Sequence, residues 1–142
     1  VAVLGNMGEL GANAAALHRE TGVCAAKAGV SLVITCGELA RQIAAGAAAE
    51  DPAVATASFD TLDALLPALP GLLQPGDCVL VKASHSMQFE RIVQADTGVK
   101  LHACVLRHEK VQMPVHEVLV HPFRLPRRGE ERAHFSFCCA FA

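Results

Sequence analysis

The N-terminal stretch VAVLGNMGELG (residues 1–11) decides the fold class, because a continuous apolar run ends there in a glycine-rich loop. A second run, SLVITCG (residues 31–37), has the same form, and weaker strand signals follow near residues 53–58 and 78–82. Helical spacing of apolar residues separates these runs. The pattern predicts a three-layer α/β fold with a mainly parallel, Rossmann-like sheet and strands near 1–5, 31–35, 53–58 and 78–82.

Two helices are predicted between the first three strands. The first covers residues 12–28 and ends at Gly29, which suits a helix C-terminus. His18 lies in the middle of this helix and is predicted to be a packed, hydrogen-bonded residue. The second helix covers residues 38–49. The residues expected to face inward are Ala14, Leu17, Thr21, Cys24 and Ala28 in the first helix, and Leu39 and Ile43 in the second.

Two further helical segments are predicted around the fourth strand. Asp60 is the expected N-cap of the first, with Asp63 as its capping-box partner three positions on. Pro67 predicts that this helix is short or kinked, because an interior proline removes a backbone hydrogen bond. Ser86 is the expected cap of the last helix, whose inward residues are Phe89, Ile92 and Val93.

Composition excludes several function classes. The 142 residues are enough for one domain, and 12 Lys+Arg against 14 Asp+Glu argue against a nucleic-acid partner. With neither Trp nor Tyr there is little aromatic surface for stacking bases or sugars. No apolar run approaches the roughly 18 residues of a membrane span, so no membrane partner is expected. Six cysteines without a CxxC pair or a secretory signal predict reduced thiols and a cytoplasmic location.

The composition changes near residue 96. Residues 1–96 carry 21 of the 25 alanines and a net charge of −5, whereas residues 97–142 carry a net charge of +3 and five of the seven histidines. We therefore expect a partial domain over 1–96, truncated at its N-terminus because residue 1 already begins a core strand. The tail over 97–142 is interpreted either as an out-of-frame reading or as a real appended segment with a loose β hairpin. Its His and Cys spacing fits no zinc motif, so no metal site is predicted.

The glycine loop has two interpretations. Gly5, Gly8 and Gly11 follow a strand and precede a helix, but GxxGxxG is not the GxGxxG of dinucleotide-binding proteins. The second strand lacks the acidic residue that would hold a ribose, and the sequence has no GxxxxGK[ST] loop for a triphosphate. The alternative is a tight turn with close helix packing. In parallel sheets ligands bind at the carboxyl ends of strands, which here means residues 5–11, 36–38 and 82–87.

Three blocks of sequence carry a family resemblance over residues 1–95. VAVLGNMGELGANAAALHRETG resembles V-L-G-D-M-x-E-L-G followed by H-x-x-x-G in the C-terminal domain of bacterial Mur ligases. CGELARQIA and LLQPGDCVLVKASHSMQFERIVQA are similar to the next two blocks of that family, in the same order. The resemblance is greatest to the ligases that add D-alanyl-D-alanine to UDP-N-acetylmuramoyl tripeptide. Ligases that attach diaminopimelate or lysine match the third block less well.

The resemblance implies an ATP-dependent ligase of peptidoglycan precursor synthesis, in which this domain receives the amino substrate and closes over ATP. In the parent enzyme the central domain would then hold ATP and Mg²⁺ and the N-terminal domain would bind the UDP-sugar peptide, with no cofactor expected for this chain alone. No catalytic residue is predicted, since ATP supplies the activation. The alternative is a catalytically inert Rossmann-like fragment that acts at most as an interaction module.

The same resemblance implies a substrate-binding site, for which the candidates are Lys82, Ser84, His85, Ser86, Asn6 and Glu9. Two of these depart from the family pattern. Asn6 replaces an acidic residue, and Lys82-Ala83-Ser84-His85 replaces K-G-S-R. His85 therefore offers a weaker cation at neutral pH than arginine does. The carboxylate of the dipeptide is expected to lie in the loop over residues 82–87, beside a helix N-terminus.

Overall fold

The computed structural model describes residues 1–95 and the backbone of a short strand at residues 104–105. Five strands form one sheet in the order β3-β2-β1-β4-β5, and every adjacent pair is parallel. The predicted parallel α/β architecture and its four strands are therefore confirmed, within one or two residues at each end. The strands are β1 (Ala2–Gly5), β2 (Leu32–Cys36), β3 (Ala55–Phe59), β4 (Leu80–Lys82) and β5 (Cys104–Val105).

The helices occupy the segments between the strands. Pro67 shapes the third crossover as predicted, because two short α-helices are joined there by a 3₁₀ turn that contains it. The α-helices are α1 (Ala14–Lys27), α2 (Arg41–Glu50), α3 (Leu62–Leu65), α4 (Leu69–Leu72) and α5 (Glu90–Gln94); the 3₁₀ turns are Gly11–Asn13, Leu66–Ala68 and His85–Met87.

Strand residues alternate between two separate cores, as the period of a β-strand requires. In β1, Ala2 and Leu4 belong to the core beneath α1 and α2, whereas Val3 belongs to the opposite core. In β2, Val33 and Ile34 divide in the same way. Both faces of the central strands are thus buried, which explains why their sequences are continuously apolar rather than alternating.

Glycines bring α1 and α2 into close contact. A Cβ added at Gly22 would overlap the carbonyl oxygen of Ile43, and one at Gly46 would overlap the carbonyl oxygen of Arg19. The helices therefore meet backbone to backbone.

This contact also rotates α1 away from the predicted orientation. Its buried residues are His18, Thr21, Gly22, Ala25 and Ala26. Leu17, expected to face inward, is 38% exposed, and Leu39 is 37% exposed because it precedes α2. The predicted inner faces were therefore partly wrong. The prediction relied on the spacing of leucine and alanine, whereas the contact between α1 and α2 is made through glycines.

The ends of two helices differ from the sequence prediction. Asp60 is not an N-cap, because α3 begins one residue later and the Thr61 hydroxyl accepts the Ala64 N–H at 3.3 Å. Asp63 pairs with Arg91 instead of completing a capping box. At α1, in contrast, Gly29 ends the helix as predicted, with φ of +77° and its N–H bonded to the Ala26 carbonyl.

Ser86 does not cap the last helix. It lies inside the 3₁₀ turn His85–Met87, and its hydroxyl donates to the Ser84 hydroxyl at 3.3 Å. Gln88 then adopts a left-handed conformation, so α5 begins only at Glu90. The turn separates Ser86 from the helix that it was expected to cap. Phe89 and Ile92 are buried and Val93 is half-buried, in keeping with their predicted inward positions.

Two remaining predictions concern other parts of the chain. Cys104–Val105, inside the KLHACVL segment, pairs with β4 as a fifth parallel strand. The other residues of the 97–142 tail lie outside the described residues, so its hairpin and its origin stay predictions. Among the described helices, none is both long and apolar enough to cross a membrane.

Candidate functional site

A cleft opens where the direction of chain progression across the sheet reverses. β1 lies between β2 and β4, so its carboxyl end is the topological switch point at which parallel sheets bind ligands. The cleft has a volume of about 330 Å³. Its walls come from the ends of β1 and β4, from the loop after β1 and from the two helices above: Leu4, Gly5, Met7, Gly8, Leu10, Thr21, Ile43, Lys82, Ala83 and Ser84.

Lys82 and Ser84 are the polar candidates that the fold brings together in this cleft. Lys82 is the last residue of β4 and is half-buried, and Ser84 follows it by two residues. The ion pairs of the described residues are Lys27–Glu50, Arg41–Asp60 and Arg91–Asp63, so the Lys82 ammonium has no carboxylate partner in that part of the chain. The cleft wall therefore carries one cation, Lys82, and the hydroxyls of Ser84 and Thr21, and the Thr21 hydroxyl already donates to the Leu17 carbonyl.

Asn6 ties three loops together at the edge of the cleft. Its carbonyl oxygen accepts the Ser84 N–H at 2.9 Å, and its side-chain Oδ1 accepts the Ala40 N–H at 2.8 Å. Its own N–H points at the Met87 sulfur, 3.0 Å away. Gly37 has φ of +105° and leaves room for this amide, because a Cβ there would come within 2.6 Å of Oδ1. The Asn6 side chain thus bonds to the N-terminal end of the α2 segment.

The β1 loop, residues 6–10, is also attached to α1. The Met7 N–H donates to Nε2 of His18 at 2.9 Å, and the Thr21 hydroxyl lies 3.7 Å from the Met7 sulfur. His18 is fully buried, and its Nδ1 lies 2.6 Å from the Ala14 carbonyl oxygen. The predicted role of His18 as a packed, hydrogen-bonded residue is confirmed.

The other predicted site residues lie outside the cleft wall. Glu9, His85 and Ser86 are exposed, and Glu9 has a left-handed φ of 61°. In the loop over residues 82–87, where the carboxylate was expected, two of the backbone amides already have acceptors. Ser84 donates its N–H to Asn6, and Met87 donates its N–H to the Ser84 carbonyl.

The carboxyl ends of β2 and β3 carry a buried thiol and an ion pair. Burial, and secondarily the charge of Asp60, raise the pKa of Cys36 above its ordinary value of 9.0. Asp60 bonds to the Arg41 guanidinium, and this hydrogen bond and its charge raise the pKa of Arg41. Cys36 is therefore a protonated core residue at neutral pH, and it is a poor nucleophile in that form.

Sequence reasoning missed most of the cleft wall. Met7, Thr21 and Ile43 come from three separate segments, and only the fold shows that they meet. The sequence feature that could have pointed to Met7 as a cleft residue is its position in the loop after a strand. Within residues 1–95, no three His, Cys, Asp or Glu side chains lie close enough together to hold a metal ion.

Comparison with known proteins agrees with this arrangement. The sequence profile of the family described as Mur ligase, glutamate ligase domain matches residues 1–85, which is more than half of the chain. No match is found to an individual curated protein. From the parallel sheet, the switch-point cleft and this match, the chain belongs to the Mur ligase, glutamate ligase domain family.

Proposed function

We propose that this chain is the amino-substrate domain of an ATP-dependent ligase that adds D-alanyl-D-alanine to UDP-N-acetylmuramoyl tripeptide. The family match supports ligase chemistry in peptidoglycan precursor synthesis, and we place this reaction in the cytoplasm. The observation that carries the choice of amino substrate is the single cation in the cleft. Lys82 and Ser84 suit one carboxylate, and the apolar wall suits the methyl groups of alanine.

The cleft would hold the dipeptide by its C-terminal carboxylate. The Lys82 ammonium supplies charge, and Ser84 is free to donate its hydroxyl hydrogen because it accepts from Ser86. A charge-assisted hydrogen bond of this kind contributes roughly 1.5–3 kcal/mol. A glutamate or diaminopimelate substrate carries further charged groups, for which the described cleft wall offers no second cation.

The domain's contribution to the reaction is alignment of the amine. In these ligases an acyl phosphate forms from the peptide carboxylate, and the amine attacks its carbonyl carbon and expels phosphate. A cleft that fixes the far end of the dipeptide limits the positions of its amine, which raises the effective concentration of the nucleophile. The sequence has no GxxxxGK[ST] loop that could hold a triphosphate. We therefore assign ATP and Mg²⁺ to the central domain of the ligase, and the UDP-sugar peptide to its N-terminal domain.

A second candidate is an inert Rossmann-like interaction module. The exposed positions of Glu9, His85 and Ser86 are compatible with it, since these residues do not line the cleft. The two functions differ in one respect: only the ligase domain needs the cleft to recognise a free carboxylate.

Nuclear magnetic resonance titration of the ¹⁵N-labelled chain with D-alanyl-D-alanine tests the proposal. We expect saturable shifts of the Gly8 and Ser84 amides, and none with the dipeptide amide, which lacks the carboxylate. Lys82→Ala should weaken the dipeptide affinity on the order of tenfold. Lys27→Ala is the matched control, because Lys27 lies on α1 outside the cleft wall. Equal responses to the dipeptide and its amide would favour the interaction module. Calorimetry with Mg-ATP should show no binding to this chain.

A further inference from the structure

His18 is a fully buried residue that lies next to the cleft wall but does not line the cleft. His18 is 0% exposed and lies on α1, whereas the cleft wall nearest to it is formed by Met7 and Gly8 of the β1 loop. Neither the predicted site nor the proposed carboxylate contact uses this side chain. A polar ring in a core is stable there only when its nitrogens are hydrogen-bonded, and both nitrogens of His18 have partners.

The two hydrogen-bond partners of His18 determine which ring nitrogen donates and which accepts. The Ala14 carbonyl can only accept a hydrogen bond, so Nδ1 of His18 carries the hydrogen and donates it. The Met7 N–H can only donate, so Nε2 of the same ring is the acceptor. His18 therefore connects the first turn of α1 to the backbone of the β1 loop.

This connection is important because the middle of the β1 loop has few other attachments. Among the backbone hydrogen bonds of loops and turns in the described residues, none involves residues 7–9. Asn6 before them is held by Ser84 and Ala40. Among the described residues, the hydrogen bond to His18 is thus the one that fixes the backbone where Met7 and Gly8 form the cleft wall.

We propose that His18 is a positioning residue for the substrate cleft. By accepting the Met7 N–H, it holds the Met7–Gly8 wall at its distance from Lys82 and Ser84. The Ser84 hydroxyl would lie 3.3 Å from a Cβ at Gly8, so the two sides of the cleft are close at this point. A small displacement of the loop would therefore change the space available to a bound carboxylate. The binding consequence rests on the proposed function, whereas the ordering of the loop does not.

Amide hydrogen exchange of the full chain tests the ordering of the loop without any ligand. His18→Leu keeps an apolar side chain in the core and removes the acceptor, so the Met7 amide should exchange on the order of tenfold faster. His18→Gln restores an acceptor oxygen and should recover much of the protection. Val33→Ala, a truncation of β2 in the core beneath α1 and α2, controls for general destabilisation and should leave the ratio of Met7 to β4 exchange unchanged. Equal protection of Met7 in His18→Leu and the parent would overturn the inference.

The D-alanyl-D-alanine titration provides the second readout. We expect His18→Leu to weaken dipeptide affinity several-fold, roughly threefold to tenfold, with recovery in His18→Gln and no loss in Val33→Ala. If Val33→Ala weakens binding as much as His18→Leu does, the role of His18 is only structural and the inference fails. If the parent chain does not bind the dipeptide at all, the proposed function fails, and the exchange measurement alone decides whether His18 positions the loop.

Discussion

The two helical layers of this domain are built on different principles. The layer formed by α1 and α2 buries mainly alanine and glycine, beside His18, Thr21 and Ile43, and its helices touch through Gly22 and Gly46. The layer on the other face buries large side chains from shorter segments: Leu65, Leu69, Leu73, Phe89 and Ile92. The packing of the α1–α2 layer depends on the close approach of two helix backbones, whereas the packing of the opposite layer depends on the volume of its side chains.

This difference has a consequence for mutational tolerance. At the α1–α2 contact, Gly22 and Gly46 have no space for an added side chain, so small additions at these positions should be harmful. In the opposite layer, removal of atoms should be harmful because it leaves a cavity. Apolar substitutions that add atoms are thus expected to destabilise the α1–α2 layer most, whereas those that remove atoms are expected to destabilise the opposite layer most.

The largest expected effect is a cavity in the layer of large side chains. Leu69 is fully buried in α4, and Leu69→Ala should lower the free energy of unfolding by about 2–5 kcal/mol. Leu72 lies on the same helix and is only half-buried, so Leu72→Ala should cost clearly less. Urea unfolding of both variants measures the difference. Equal losses would show that this layer is not packed as described.

The next effect is overpacking in the α1–α2 layer. Gly22→Ala places a methyl group against the backbone of α2 and should cost about 3 kcal/mol, the upper end of typical overpacking. Gly71 is the matched control, because it is also helical but has nothing within 4 Å of an added Cβ. Gly71→Ala should be neutral or stabilise by up to about 1 kcal/mol. The comparison between the layers breaks down if Gly22→Ala unfolds at the same urea concentration as the parent.

The smallest expected change in stability concerns the N-terminus of α3, which belongs to the layer opposite α1 and α2. Thr61→Ala removes the observed cap and should cost about 1 kcal/mol. Asp60→Ala removes only an exposed ion pair with Arg41 and should cost less, roughly 0–1 kcal/mol. Thermal unfolding of the two variants decides which residue begins the helix. A larger loss in Asp60→Ala would support the cap that the sequence alone indicated.

In the candidate site, some residues could be predicted from local sequence, whereas the hydrogen bonds between its loops could not. Lys82 and Ser84 could be predicted because they lie at the carboxyl end of a buried strand, and parallel strands place these ends on one edge of the sheet. The bond between Asn6 and Ala40, and the use of the Ser84 amide by Asn6, could not be predicted. Hydrogen bonds between loops depend on how far apart the strands place them, which no local pattern encodes.

The sequence by itself determined the α/β class, the parallel strands, the stop of α1 at Gly29 and the broken crossover at Pro67. Each of these depends on residues adjacent in the chain, through apolar runs, positive φ or the missing N–H of proline. The tertiary structure decided which face of α1 is buried and how His18 reaches Met7. These features depend on contacts between segments, and there the approach of two backbones outweighs the spacing of apolar residues.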